Sequence, residues 1–184
     1  VAKSTEGDYQ IKSPSRLAAR KLPSAYAPRS SGEITTVKDQ ASTGACWAFS
    51  ALACAEQDLI KKGLENPSAE FSVPALVMSS NSGTATGKDD FSSGGNWLFA
   101  ASALANGQGL CYEDYEPFLE SGTENMIVSE NKKSVSEYRL NYVMELSSTT
   151  QVKRKIMELG AVSASYFAGN GYMNHNNTAY YDPV

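Results

Sequence analysis

The stretch Gln40-Ala41-Ser42-Thr43-Gly44-Ala45-Cys46-Trp47-Ala48-Phe49-Ser50 leaves this chain little freedom in how it can fold. A cysteine follows a Gly-Ala step and opens an apolar run of Trp47, Ala48 and Phe49, continued by Ala51, Leu52, Ala53, Leu59 and Ile60. The pattern predicts a loop feeding a buried helix over residues 46–62, closed by a left-handed cap at Gly63 with Lys61 and Lys62 in its last turn. A thiol in the first turn of such a helix meets unpaired backbone N–H groups and the positive end of the helix dipole, which favour the thiolate. The thiolate is the nucleophilic form. Gln40, six residues upstream, is placed to fold back and donate a hydrogen bond to the oxyanion formed when sulfur attacks a carbonyl. The competing reading of Cys46 is a small hydrophobe packed in a core helix.

These residues resemble the active-site segment of papain-like (cathepsin-type) cysteine peptidases, C-G-[SA]-C-[WY] preceded by Gln and followed by A-F-S. Gln40, Gly44, Cys46, Trp47, Ala48, Phe49 and Ser50 match. Ala41 stands where the family usually has Gly, Ala45 where it has Ser, and Thr43 where it commonly has a disulfide-forming Cys. The change at Thr43 removes a staple and touches no chemistry; it is similar to the cysteine-poor bacterial branch. Residues 22–29 resemble the string with which mature domains of the family begin, with Ala27 replacing Asp, and Val37-Lys38-Asp39-Gln40 resembles the family's approach to the nucleophile loop. Residues 71–77 resemble its next short helix, with Pro74 at the start. Gly94-Gly95 precede a helix running through Phe99, Ala100, Ala103 and Leu104 to about residue 107. The resemblance implies that Gly94 and Gly95 bind substrate, because a main chain bare of side chains lets an extended peptide approach closely. Without it, the pair reads as a turn before a helix. Residues 109–118 resemble the family's following string with one residue extra.

Composition removes other classes of partner. A net charge of −4 provides no basic footprint for nucleic acid or anionic lipid. No apolar run approaches membrane-spanning length, and Val1-Ala2-Lys3-Ser4 has no signal-peptide core. Of the three cysteines, Cys54 lies about 12 Å along the same helix from Cys46, too far to bond to it. Cys54 and Cys111 either pair or remain free and buried. Residues 1–21 read as a polar tail or pro-segment remnant, with Arg20-Lys21 a processing point, or as a solvated arm.

Beyond residue 134 the pattern changes. Residues 135–146 alternate as a strand, residues 149–159 form an amphipathic helix capped by Thr149 or Thr150, and residues 160–167 read as a second strand. This last strand resembles part of the family's barrel lobe, in which Ser165 or a neighbour lines the specificity pocket. A cysteine peptidase also needs a general base, and the chain has one histidine, His175. It lies at the near edge of the family's spacing of about 130–150 residues from the nucleophile. Yet it sits in a polar, turn-rich run over residues 171–178, unlike the family's buried catalytic strand, and reads as a solvent-facing loop residue.

The architecture expected is therefore α+β, a papain-like two-lobe fold with the helical lobe complete and the barrel-like β lobe partly present. Residues 1–21 form the tail, 22–133 the mainly helical lobe, and 134–184 the opening strands of the β lobe. The resemblance implies an endopeptidase acting on peptides or proteins. Cys46 is the nucleophile, Gln40 and the Cys46 backbone N–H hold the oxyanion, Gly94 and Gly95 bind substrate, and no metal or organic cofactor is needed. A second chain, separated by cleavage at or beyond Val184, supplies the catalytic His and Asn, and the placement implied is extracellular or at a bacterial cell surface. The alternatives are an inactive papain-like scaffold used for binding, and transpeptidation onto an amine by the same thiol.

Overall fold

The apolar run that opens at Cys46 forms one continuous helix, α1 (Cys46–Lys61), against which the other helices pack. The computed structural model describes residues 2–3, 21–80, 91–92, 94–105, 110–118 and 138–166. Among these, α2 (Val73–Ser80), α3 (Trp97–Ala105) and α4 (Thr149–Leu159) complete the α-helices, and Pro28–Ser31 form a short 3-10 turn. Strand β1 (Ala2–Lys3) pairs antiparallel with β2 (Tyr138–Arg139), Ala2 opposite Arg139 and Lys3 opposite Tyr138.

Helix α1 buries Trp47, Ala48, Leu52, Ala55 and Leu59, a helical repeat in which the alanines let neighbours approach closely. It ends one residue before the predicted boundary. Lys62 is the cap residue and Gly63 takes the left-handed conformation at φ 67°. The Gly63 N–H bonds the Ile60 carbonyl and the Leu64 N–H bonds that of Leu59, both at 2.9 Å. Pro74 fits at the second position of α2 because an N–H there has no intrahelical acceptor to lose. Leu52, Leu59, Phe71, Val73, Val77, Phe91 and Leu104 fill the space between α1, α2 and α3. Phe71 stacks on Tyr112 with ring centroids 5.1 Å apart. Hydrogen bonds on either side, Ser72 N–H to the Cys111 carbonyl (2.7 Å) and Glu113 N–H to the Glu70 carbonyl (2.9 Å), tie residues 110–113 to the entry of α2.

The second half departs from the sequence expectation. Of the strand predicted over residues 135–146, only Tyr138–Arg139 is laddered; residues 135–137 lie outside the described residues. The predicted strand at residues 160–167 forms no ladder over its described part, 160–166. Alternation marks a chain suited to pairing, but a strand exists only where a partner supplies its hydrogen bonds. The tail is not wholly unpaired either, since Ala2 and Lys3 supply β2 with its partner. Helix α4 has the predicted span, but its cap is Ser148 rather than Thr149 or Thr150. The Ser148 hydroxyl accepts from Gln151 N–H at 3.3 Å, and the Gln151 side chain accepts from Ser147 N–H at 2.9 Å, a reciprocal cap.

Candidate active site

The backbone between Gln40 and Cys46 is held by short local bonds. Asp39 Oδ1 accepts from Ala41 N–H at 2.8 Å, and the Gln40 carbonyl accepts from both the N–H and the hydroxyl of Thr43, at 3.2 and 2.8 Å. Gln40 Nε2 donates to the Thr43 carbonyl at 2.7 Å, which fixes the amide over the loop. Thr43, standing where the resemblance would have a disulfide-forming cysteine, thus organises the turn through its hydroxyl and main chain. Ala41 lies at φ 50°, the left-handed region that glycine adopts freely.

The loop is also anchored from outside. Gly44 N–H donates to the Phe91 carbonyl at 2.5 Å, and a Cβ on Gly44 would stand 2.6 Å from Gly94 N and 2.9 Å from the Ser92 carbonyl. The segment carrying Gly94 and Gly95 therefore abuts the loop that leads into Cys46. Gly94 has φ 72°, and a Cβ on Gly95 would overlap the indole of Trp47. Trp47 is buried beneath that glycine and meets Phe99 edge to face at 5.8 Å.

Cys46 is the first residue of α1 and its side chain is exposed. The preceding Ala45 has no side-chain acceptor, and among the described residues the Cys46 N–H has no hydrogen-bond partner. The thiol stands in the first turn of α1, as the sequence predicts, and is exposed rather than packed in the core. Neither of the other two cysteines forms a disulfide. Cys111 is buried, while Cys54 is half-buried and its thiol is pushed up to about 11 by burial, with the Asp58 carboxylate adding to the effect. His175 lies outside the described residues.

A buried carboxylate that the motifs gave no reason to single out fixes the approach to the loop. Glu56, 2% exposed, accepts from the Thr35 hydroxyl (2.9 Å), Phe71 N–H (2.9 Å) and Lys38 Nζ (3.4 Å), and Lys38 Nζ also donates to the Phe71 carbonyl at 3.3 Å. Residues 35–38 are thereby pinned to α1 two residues before Gln40. The available signal was a glutamate on the face of α1 that carries Leu52, Ala55 and Leu59. Nearby, the Glu113 carboxyl is raised above its ordinary range by burial, against the opposing hydrogen bond from Phe118 N–H at 2.6 Å.

The strand-like segment beyond α4 crosses α1. A Cβ on Gly160 would stand 2.9 Å from Gln57 Cβ, and the hydroxyls of Ser50 and Ser163 lie 2.7 Å apart. Ser165, two residues on, is exposed.

The profile of the papain family of cysteine proteases matches residues 22–183. No curated protein matches. Among solved structures, the cysteine protease and lectin-like domains of Cwp84, a surface layer associated protein of Clostridium difficile, superpose with a TM-score of 0.71 at 25% identity. That match covers 88% of this chain and 36% of the other. A Clostridial Cwp84 cysteine protease after propeptide cleavage superposes with a TM-score of 0.70 at 26% identity, covering 84% of this chain and 38% of that one. The chain thus spans little more than a third of the solved chains it matches. With four α-helices and one short ladder among the described residues, it has the papain-like α+β fold with the helical lobe present and the β lobe represented in part. The chain belongs to the papain family of cysteine proteases.

Proposed function

We propose that this chain carries the nucleophile of a cysteine endopeptidase. The observation that carries the reading is Cys46, an exposed thiol at the uncapped first position of α1, with its own N–H unbonded among the described residues. Cys46 attacks the scissile carbonyl as thiolate. Its N–H and the second Nε2 hydrogen of Gln40, the first being held by Thr43, receive the oxyanion. Gly94 and Gly95 pair with the extended substrate on one side, where no side chain intervenes.

The general base and its orienting asparagine come from a second polypeptide or chain segment, which protonates the leaving amine. Supporting this, residues 141–146 make no hydrogen bond among the described residues, while Tyr142 and Val143 are each 53% exposed. Such an edge is stabilised when further strands pair with it. In this reading residues 22–133 are the helical lobe and 134–184 the first part of the β lobe, matured by cleavage as a zymogen. The surface-layer association of the Cwp84 relative supports placement at a bacterial cell surface.

Denaturing mass spectrometry of the native protein after a peptidyl epoxide tests the proposal. One adduct on Cys46, with a companion segment bearing the catalytic histidine, is the expected result. A chain that takes up no epoxide would be an inactive scaffold. Product analysis with an added amine acceptor separates hydrolysis from transpeptidation.

A further inference from the structure

Cys46 is bracketed in the chain by two residues that touch the same glycine pair. A Cβ on Gly44, two residues before it, would stand 2.6 Å from the Gly94 amide nitrogen and 3.0 Å from its Cα. A Cβ on Gly95 would overlap Nε1 of Trp47, the residue after Cys46, and stand 2.6 Å from Cδ1 and Cε2 of the same indole. Gly95 is exposed and is not among the glycines of positive φ, so its backbone would accept alanine. The indole beneath is what excludes a side chain. That ring has little room to yield, since Trp47 is 8% exposed and meets Phe99 of α3 edge to face. Gly95 is held from its other side by the start of α3, where the Asn96 side-chain oxygen accepts from Leu98 N–H at 2.9 Å and its carbonyl from Phe99 N–H at 3.2 Å. Among the described residues the buried Trp47 N–H has no hydrogen-bond partner, so the ring acts here by its shape and not through a bond.

We propose that Trp47 is a positioning residue whose indole edge is the stop for Gly95, and that with Gly44 it sets how far the peptide-pairing main chain of Gly94 and Gly95 lies from the Cys46 thiol. Stop and nucleophile are neighbours in the first turn of α1, so their spacing is carried by a helix and not by the loops around it. An extended peptide paired with these glycines has its carbonyl placed by their height above the ring. A misplacement of about 1 Å there is enough to cost about 100-fold in rate. The inference rests on the reading of Cys46 as a peptidase nucleophile and of the glycine pair as its substrate-binding main chain.

The test is a double-mutant cycle on the full-length protein, read as the ratio of Cys46 alkylation rates by a peptidyl epoxide and by iodoacetamide. The small reagent reports the thiolate; the epoxide also needs the peptide-pairing main chain, so the ratio isolates the glycines. Gly95→Ala and Trp47→Leu are each expected to lower the ratio about tenfold. The double variant should lose no more than either, because leucine vacates the space that the new methyl needs. Trp47→Phe, which keeps a flat ring in place, should retain most of the ratio. Gly95→Ala should also lower the urea midpoint, whereas a methyl that obstructed only the peptide would leave it unchanged. If Gly95→Ala folds only in company with Trp47→Leu, the same coupling is read in stability. Losses that multiply in the double variant would overturn the stop, as would an unchanged urea midpoint in Gly95→Ala or an unchanged ratio in a folded Trp47→Leu. A wild-type protein alkylated by iodoacetamide but not by the epoxide would instead overturn the peptidase reading, and the positioning role with it.

Discussion

Gly44 and Gly94 meet backbone to backbone: a Cβ on Gly44 would stand 2.6 Å from the Gly94 amide nitrogen. The contact joins the loop that presents Cys46 to the pair of glycines proposed to bind substrate. The obstacle would be main chain, which cannot swing aside as a side-chain tip could. Gly44→Ala should therefore destabilise the fold by about 2–3 kcal/mol, read by urea unfolding, and slow alkylation of Cys46 by a peptidyl epoxide. A variant as stable and as reactive as the wild type would show that the two loops are not in contact.

Ala41 makes the opposite case. Replacing an ordinary alanine by glycine costs about 0.5–1 kcal/mol through the entropy of the unfolded chain. At φ 50° that cost is offset by relief of about 1 kcal/mol of left-handed strain. Ala41→Gly should be neutral or stabilising in thermal melts. Ala41→Val should lower stability by at least about 1 kcal/mol.

Glu56 holds Thr35, Lys38 and Phe71 around one buried carboxylate. Glu56→Gln keeps the shape but removes the charge facing Lys38, which should cost about 2–4 kcal/mol in equilibrium unfolding. Because residues 35–38 lead directly to Gln40, kcat should fall as well. Restored activity without restored stability in a Lys38→Met, Glu56→Gln double variant would separate the two effects.

Cys54 should behave unlike Cys46 towards thiol reagents. At pH 8 iodoacetamide is expected to label Cys46 and spare Cys54, a difference that peptide mapping reads directly. Burial raises the Cys54 thiol from 9.0 to about 11, so the folded state favours the neutral form. Its contribution to stability is fully present below pH 9 and is lost as pH rises from 9 to about 11, amounting to about 2–3 kcal/mol. The stability difference between wild type and Cys54→Ala should accordingly shrink between pH 8 and pH 11.

The sequence by itself determined the helix that opens at Cys46, its glycine stop, the short helices at α2 and α3, the amphipathic α4 and the family. These are local signals: an apolar run of helical period, a left-handed glycine, a cysteine between Gly-Ala and Trp. Tertiary structure decided the rest. That Gly94 abuts Gly44 and Gly95 covers Trp47, that Glu56 anchors the approach to Gln40 and that Ser163 meets Ser50 all depend on contacts between residues distant in sequence. No local pattern encodes them. The same reason explains the two strands predicted at residues 135–146 and 160–167, of which only Tyr138–Arg139 is laddered in the described structure. Alternation states which face of a segment would be apolar, but a strand's hydrogen bonds belong to its neighbour, and where that neighbour lies is a property of the assembled fold.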